Sequence, residues 1–79
     1  MSKYYTKIHV QHKDGSIAKG VKVSLSISGT LSGGVTSNSF TDNYGTAIIG
    51  HESRGTAKVM VNGRTMDTIQ VPGETAVFI

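Results

Sequence analysis

Cysteine and tryptophan are absent from this chain of 79 residues, and proline occurs once. Without cysteine, neither a disulfide framework nor a thiolate zinc site can supplement the hydrophobic core. No apolar run approaches the roughly 18 residues of a membrane-spanning helix, so we expect no membrane span. The N-terminus also lacks the apolar segment of a secretory signal, which indicates a cytoplasmic protein or a module excised from a secreted or surface protein.

The most regular stretch of the chain is residues 21–27, in which apolar and polar residues alternate without exception. A period of two predicts a strand, because successive side chains of a strand point to opposite faces. Its four apolar residues should face a core, and the three polar residues Lys22, Ser24 and Ser26 should face water. Residues 4–10 alternate in the same way, with Tyr4, Thr6, Ile8 and Val10 on the inner face.

Turn signals separate further strands. Residues 11–20 contain Asp14-Gly15 and form a loop long enough to cross from one sheet to another, with Ile17 expected to cover the end of the core. Residues 35–41 predict a weaker strand anchored by Phe40. In residues 42–45, the Asp42 carboxylate is expected to accept backbone N–H groups and Gly45 to supply a positive φ. Residues 47–49 predict a buried strand, and residues 50–55 a polar loop.

Asn62-Gly63 is the strongest hairpin signal, since a type I′ turn requires positive φ at both positions. This turn pairs Val61 with Arg64 and, without irregularity, Val59 with a buried Met66. Ile69 and Val71 would then lie on the wrong face, so we expect a bulge between Asp67 and Ile69. In the last strand, the pattern allows either Thr75, Val77 and Ile79 or Ala76 and Phe78 to point inward.

These elements predict a single all-β domain over residues 1–79: an antiparallel β-sandwich of about seven short strands with Greek-key, immunoglobulin-like or prealbumin-like connections. No window of eleven residues shows a convincing helical period. A five-stranded barrel of the SH3 or OB kind is the alternative, in which two of the weaker strands would be loops.

Three sequence segments, taken in order, resemble a known class of domain. They are Lys-Asp-Gly-Ser-Ile-Ala-Lys-Gly-Val-Lys-Val-Ser-Leu (residues 13–25), Phe-Thr-Asp-Asn-Tyr-Gly-Thr-Ala (residues 40–47) and Gly-Thr-Ala-Lys-Val-Met-Val-Asn-Gly (residues 55–63). This order is similar to that of bacterial immunoglobulin-like and carboxypeptidase-regulatory-like domains. The sequence departs from that pattern at Ala18, near where those domains often have proline. The resemblance implies a non-catalytic accessory, adhesion or spacer module.

The sequence offers no catalytic, metal or cofactor site that we would assign. His9, His12 and His51 have no metal-ligand spacing and are expected at the surface, and Asp42, Asn43 and Glu52 are too few acidic groups for calcium. A nucleophilic serine would need a base and an oriented partner, and no Gly-x-Ser-x-Gly elbow occurs.

The expected function is therefore a structural or binding module that presents loops and a polar sheet face to a protein or carbohydrate. Thr30, Leu31 and Ser32, in a glycine-rich loop, are the candidate partner contacts. The alternative is an anion-binding module for nucleic acid or acidic glycan, because five of the six lysines lie in the first 22 residues. Its candidate contacts are Lys3, Lys7 and Lys22. A nucleic-acid partner is disfavoured because such surfaces usually combine denser Lys and Arg with interleaved aromatics.

Overall fold

The structure, a computed structural model, describes residues 3–28, 34–36, 38–52 and 54–79. These residues form strands and connecting segments, and none of them is helical. Accordingly, the described ranges contain no helix long and apolar enough to cross a membrane. The strands in chain order are β1 (Tyr4–Gln11), β2 (Lys22–Ile27), β3 (Gly34–Val35), β4 (Ser39–Phe40), β5 (Thr46–His51), β6 (Gly55–Val61), β7 (Arg64–Val71) and β8 (Glu74–Phe78).

The strands divide into two sheets. The three-stranded sheet has the order β5-β1-β8, with β1 antiparallel to β5 and parallel to β8. The five-stranded sheet has the order β3-β2-β6-β7, and β4 also pairs with β2. This division does not correspond to the five-stranded barrel that the sequence also allowed. The loop between β1 and β2 crosses from one sheet to the other, as its length predicted.

Both sheets contribute to one core, which is aliphatic throughout. Alternating residues of β1, β2, β5 and β6 point into it, because their strands keep a strict period of two. The buried hydrophobic residues are Ile8, Val10, Ala18, Val23, Leu25, Ile27, Ala47, Ile49, Ala57, Val59, Val61, Val71 and Val77. The inward position of Val77 selects the first of the two phases that the sequence allowed for β8.

The alternation predicted for β2 is confirmed, but one residue of its outer face is less exposed than expected. Val23 and Leu25 are fully buried and Lys22 is exposed, but Ser24 is only 6% exposed. Ser24 lies on the outer face of a strand that has neighbours on both sides, and it pairs with the longer Met60. A short side chain between longer ones loses most of its contact with water. Alternation predicted the direction of Ser24 correctly but not its burial.

Three other burial expectations were wrong, each because pairing fixes the phase of a strand. Phe40 is 62% exposed, since it pairs with the outward-facing Lys22. Ile48 is 60% exposed, since it pairs with the outward-facing Lys7. In the β1–β2 loop, Ile17 is 43% exposed and the neighbouring Ala18 is buried instead.

The β6–β7 hairpin confirms the turn and moves the bulge. Asn62 and Gly63 both have positive φ, and Val61 pairs with Arg64. The register shifts opposite Val59 and Met60, so that Met60 pairs with Thr65 and Val59 with Asp67. The extra residue is therefore Met66, which is 37% exposed rather than buried. The bulge comes earlier than expected and turns Ile69 and Val71 toward the core.

The two sheets meet at a corner built around Thr41 and Gly45. The Thr41 hydroxyl is buried, donates a hydrogen bond to the Ala18 carbonyl (2.6 Å) and accepts one from the Val21 N–H (2.9 Å). The Gly45 carbonyl accepts the N–H of Val10 (2.7 Å). A Cβ at residue 45 would lie 2.7 Å from the Val10 carbonyl oxygen, and φ there is +77°. Only glycine fits this corner, which joins β1, the crossing loop and the start of β5.

The core position of Leu25 leads to the first prediction. Leu25→Ala should lower the free energy of unfolding by about 2–5 kcal/mol, because it removes a fully buried side chain and leaves a cavity. Lys58→Ala, on the exposed face of the neighbouring β6, is the control and should change it by less than about 0.5 kcal/mol. Urea unfolding followed by circular dichroism measures both. Equal losses would contradict the assignment of inner and outer faces.

Gly45 leads to the second prediction, in which steric and conformational effects are separated by a matched control. Gly63 has a similar positive φ of +83°, but a Cβ there would meet nothing within 4 Å. Gly63→Ala should therefore cost about 1–2 kcal/mol from backbone strain alone. Gly45→Ala should cost more, since its Cβ also collides with backbone. Equal unfolding free energies for the two variants would show that the corner can relax.

Candidate binding surfaces

The outer face of the three-stranded sheet combines large apolar side chains with polar ones, and we call it the mixed face. The pairing of the strands places Tyr5 beside Gly50, Lys7 between Ile48 and Glu74, His9 between Thr46 and Ala76, and Gln11 beside Phe78. Ile48 and Phe78 are 60% and 52% exposed, and Tyr5 is 61% exposed. The mixed face is defined by Tyr5, Lys7, His9, Gln11, Ile48, Gly50, Glu74, Ala76 and Phe78.

Aromatic residues are distributed unusually in this protein. The chain has three tyrosines and two phenylalanines, and none of them belongs to the buried core. Tyr4 is half-buried, and the other four are more than half exposed: Tyr5, Phe40, Tyr44 and Phe78. Aromatic side chains usually dominate cores and interfaces, so their position outside the core departs from the pattern of most folded domains.

Polar contacts hold parts of the mixed face in place. His9 Nδ1 and Thr46 Oγ1 share a hydrogen bond of 3.3 Å between neighbouring strands. The side chain of Lys3 lies across Gly50 beside the Tyr5 ring, because a Cβ at residue 50 would meet Lys3 Cε at 2.8 Å and Tyr5 Cε1 at 3.4 Å. Gly50 thus leaves room for the lysine stem next to the aromatic ring. The apolar stem of Lys3 and the ring of Tyr5 therefore lie next to each other, with the ammonium group of Lys3 close by.

The outer face of the five-stranded sheet differs in chemistry. Its exposed positions on β2, β6 and β7 are polar: Lys22, Thr56, Lys58, Thr68 and Gln70. Gln70 Nε2 donates a hydrogen bond to Thr56 Oγ1 at 2.8 Å across the β6–β7 pair. Met60, the one large apolar side chain that this face has on β6, is half-buried. The face is therefore polar on β2, β6 and β7, whereas the exposed Phe40 of β4, which pairs with Lys22, adds one aromatic ring to the same side.

The candidate contact residues lie in three different places. Lys3 and Lys7 are exposed on the side of the mixed face, whereas Lys22 is exposed on the outer face of the other sheet. The core separates these two faces, so the three lysines do not form one surface. Thr30, Leu31 and Ser32 lie outside the described residues.

One histidine that we expected at the surface is buried. His51 belongs to β5, pairs with Tyr4 and is only 6% exposed. Its Nε2 lies 2.7 Å from the hydroxyl of the buried Thr6, in a hydrogen bond between neighbouring strands. The Tyr4 ring stacks on the His51 ring with centroids 6.0 Å apart, and the Arg54 guanidinium lies 5.8 Å from the Tyr4 centroid. The polar loop predicted for residues 50–55 begins only after His51, because the period of β5 continues through it.

Within the described ranges, no three His, Asp or Glu side chains are grouped so that they could hold a metal ion. His9 and His51 lie on opposite faces of the three-stranded sheet, and His12 lies in the crossing loop. The Asp42 carboxylate is occupied by its own turn, since Oδ1 accepts the N–H groups of Tyr44 (2.8 Å) and Thr46 (3.0 Å). This confirms the structural role that the sequence predicted for Asp42.

Two exposed carboxylates are adjusted by the turns that they hold. The hydroxyl and backbone N–H of Ser16 both donate to Asp14, which lowers the pKa of that carboxyl. Donation from the N–H of Thr46, followed by that of Tyr44, lowers the pKa of Asp42 below its ordinary 3.8. Hydrogen bonds to the charged form favour that form, which explains both directions.

Comparison of the chain with protein-family models, with curated proteins and with solved structures finds no match.

The Asp42 turn leads to the third prediction. Because its pKa is lowered on folding, its contribution to stability is present above pH 3.8 and is lost as the pH falls through the folded-state pKa. Asp42→Asn should therefore be less stable than the wild type at pH 7, and the difference should shrink as the pH falls below 3.8. Unfolding by urea at a series of pH values measures it, with Glu52→Gln as an exposed control. A difference that does not depend on pH would assign the loss to something other than the charge.

Proposed function

We propose that this domain is a non-catalytic binding module of the immunoglobulin-like or prealbumin-like β-sandwich type, and that the mixed face is its contact surface. The arrangement that supports the sandwich is two sheets sharing one core, with loops that pass between them after β1, β4, β5 and β7. Such connections are typical of Greek-key sandwiches. The resemblance of residues 13–25, 40–47 and 55–63 to bacterial immunoglobulin-like and carboxypeptidase-regulatory-like domains agrees with this class.

The observation that carries the proposed contact surface is the exposure of Tyr5, Ile48 and Phe78 on one rigid sheet face. Contiguous exposed apolar groups rimmed by polar ones mark sites of association in soluble proteins, and Tyr5 and Ile48 are diagonal neighbours on adjacent strands here. Lys7, His9 and Gln11 surround them here and supply hydrogen-bond donors and acceptors. An open sheet face suits a protein partner, whereas a carbohydrate partner would be recognised by stacking on the Tyr5 ring with hydrogen bonds from the Lys3 and Lys7 ammonium groups.

A photocrosslinker in place of Tyr5 tests this proposal, with the same group in place of Tyr44 as the matched control. Both tyrosines are exposed, but Tyr44 lies in the turn after β4 and is not one of the residues that define the mixed face. In cells of the source organism, position 5 should give an adduct of defined mass that an excess of the unlabelled domain suppresses and that Ile48→Thr weakens. Equal adducts at both positions, or none at position 5, would contradict a protein-binding mixed face.

The second arm of the experiment addresses sugars and the alternative function. Titration of the ¹⁵N-labelled domain with cellohexaose, chitohexaose and a heparin hexasaccharide shows which backbone signals move. Neutral sugars acting at the mixed face should shift Tyr5 and Ile48 and lose this effect in Tyr5→Ala. The anion-binding alternative instead predicts heparin shifts near Lys3, Lys7 and Lys22, which weaken steeply as salt rises because bound counterions are released. Heparin binding that is insensitive to salt would exclude it.

A further inference from the structure

The edge of β8 is the one long strand edge in the described structure that nothing protects. The N–H of Lys7 donates to the Gly73 carbonyl (3.0 Å), and the N–H of Ile79 donates to the Gln11 carbonyl (2.8 Å). In residues 73–79, the backbone groups of the odd-numbered residues therefore face β1. Because successive peptide groups of a strand point to opposite sides, the N–H and C=O groups of Glu74, Ala76 and Phe78 point away from β1. In the described sheets, β8 has no neighbour on that side.

The other edges are protected in recognisable ways. The Met66 bulge interrupts β7, whose exposed edge also carries the charged Arg64 and Asp67. The β4 segment covers β5, since the Ser39 hydroxyl donates to the Ile48 carbonyl (3.3 Å) and the Asp42 N–H to the Thr46 carbonyl (2.9 Å). The remaining strands β3 and β4 have two residues each. By contrast, residues 76–79 are four consecutive apolar residues.

We propose that β8 pairs in antiparallel fashion with β8 of a second copy of this chain, about a twofold axis at Ala76. In this register Ala76 lies opposite Ala76 of the partner subunit, and Glu74 lies opposite Phe78 of the partner subunit. All three outward-facing residues then exchange both of their hydrogen bonds, about six in total. The pairing also covers part of the exposed Phe78 side chain.

A second copy fits this edge better than an unrelated strand for two reasons. The register is self-complementary in charge, since the one charged side chain of β8, Glu74, meets an apolar residue and not its own copy. The assembly also closes on itself. After pairing, the outer edges of the joined sheet are the two β5 strands, which β4 covers, so growth stops at the dimer. An open stack of copies would need a second free edge.

Charge reversal at the axis tests the pairing. Ala76 is exposed and its N–H points away from β1, where the described sheets place no neighbour, so Ala76→Lys and Ala76→Glu should both fold. Their melting temperatures should equal that of the wild type at concentrations low enough for the wild type to be monomeric. Sedimentation of the wild type between about 10 µM and 1 mM should show a mass rising from 8.3 kDa toward twice that value. In each variant alone, two side chains of like charge face each other across the axis, on residues whose Cα atoms are about 5.5 Å apart. Their repulsion should weaken the dimer at least about tenfold. An equimolar mixture of the two should recover it.

Two further variants make the result decisive. Thr65→Lys adds the same charge to the edge of β7 and should leave the dimer unchanged. Ala76→Pro removes the N–H that pairs across the axis while leaving the bonds to β1 intact, and it should give a folded monomer. A wild type that stays at 8.3 kDa throughout, variants that dimerise as the wild type does, or a mixture no heavier than its components would each overturn the proposal. The readout involves no other partner, so it is independent of the proposed function.

Discussion

The constraint on which the structure depends is that a chain of 79 residues without cysteine must be stabilised by one small core. Domains of this size bury only roughly 60% of the surface of their unfolded chain, so each buried side chain matters. The core meets this constraint with aliphatic residues alone, because β-branched residues and leucine pack well between two pleated faces. The three tyrosines and two phenylalanines lie outside this aliphatic core, and four of them are more than half exposed. The one aromatic ring that is buried beside it is the imidazole of His51 in the described structure.

The corner at Thr41 and Gly45 makes one side of the domain different from the other. The alternation of apolar and polar residues along the strands does not by itself produce this difference. On that side, the Val10 N–H donates to Gly45 at the start of β5, and the Thr41 hydroxyl, which follows β4, donates to Ala18 of the loop that crosses between the sheets. On the other side the edge strands are β7 and β8, joined through Pro72 and Gly73. Ile69 and Ile79 on this side are only partly buried against the core. One side of the domain is closed by its own chain, and the other retains apolar surface and free backbone groups.

The sequence predicted the features that depend on local rules. The alternation in β1, β2 and β6 determined the inward residues, and the Asn62-Gly63 and Asp42 turns formed as their residue types require. What it could not predict depends on which strands become neighbours. Phe40 and Ile48 are apolar, yet pairing with Lys22 and Lys7 turns them outward. His51 is polar, yet the alternation of β5 turns its side chain inward, where it forms a hydrogen bond with Thr6. The mixed face consists of residues from three strands that are distant in the chain, so no single stretch could have indicated it; the exposed phase of Tyr5 was the one available signal.

The two proposed surfaces have a geometric relation that bears on how such a module could work. Pairing at β8 would give one continuous sheet in the order β5-β1-β8-β8-β1-β5, so the mixed faces of both copies would lie side by side and point in the same direction. A single open face with three exposed apolar groups can support only weak binding, because area alone does not overcome the loss of translational and rotational freedom. Two such faces on one rigid sheet convert the second contact into an intramolecular event, which raises the overall affinity without any new contact. Dimerisation would therefore favour partners that repeat the same surface, such as a polymer or an array, over isolated molecules.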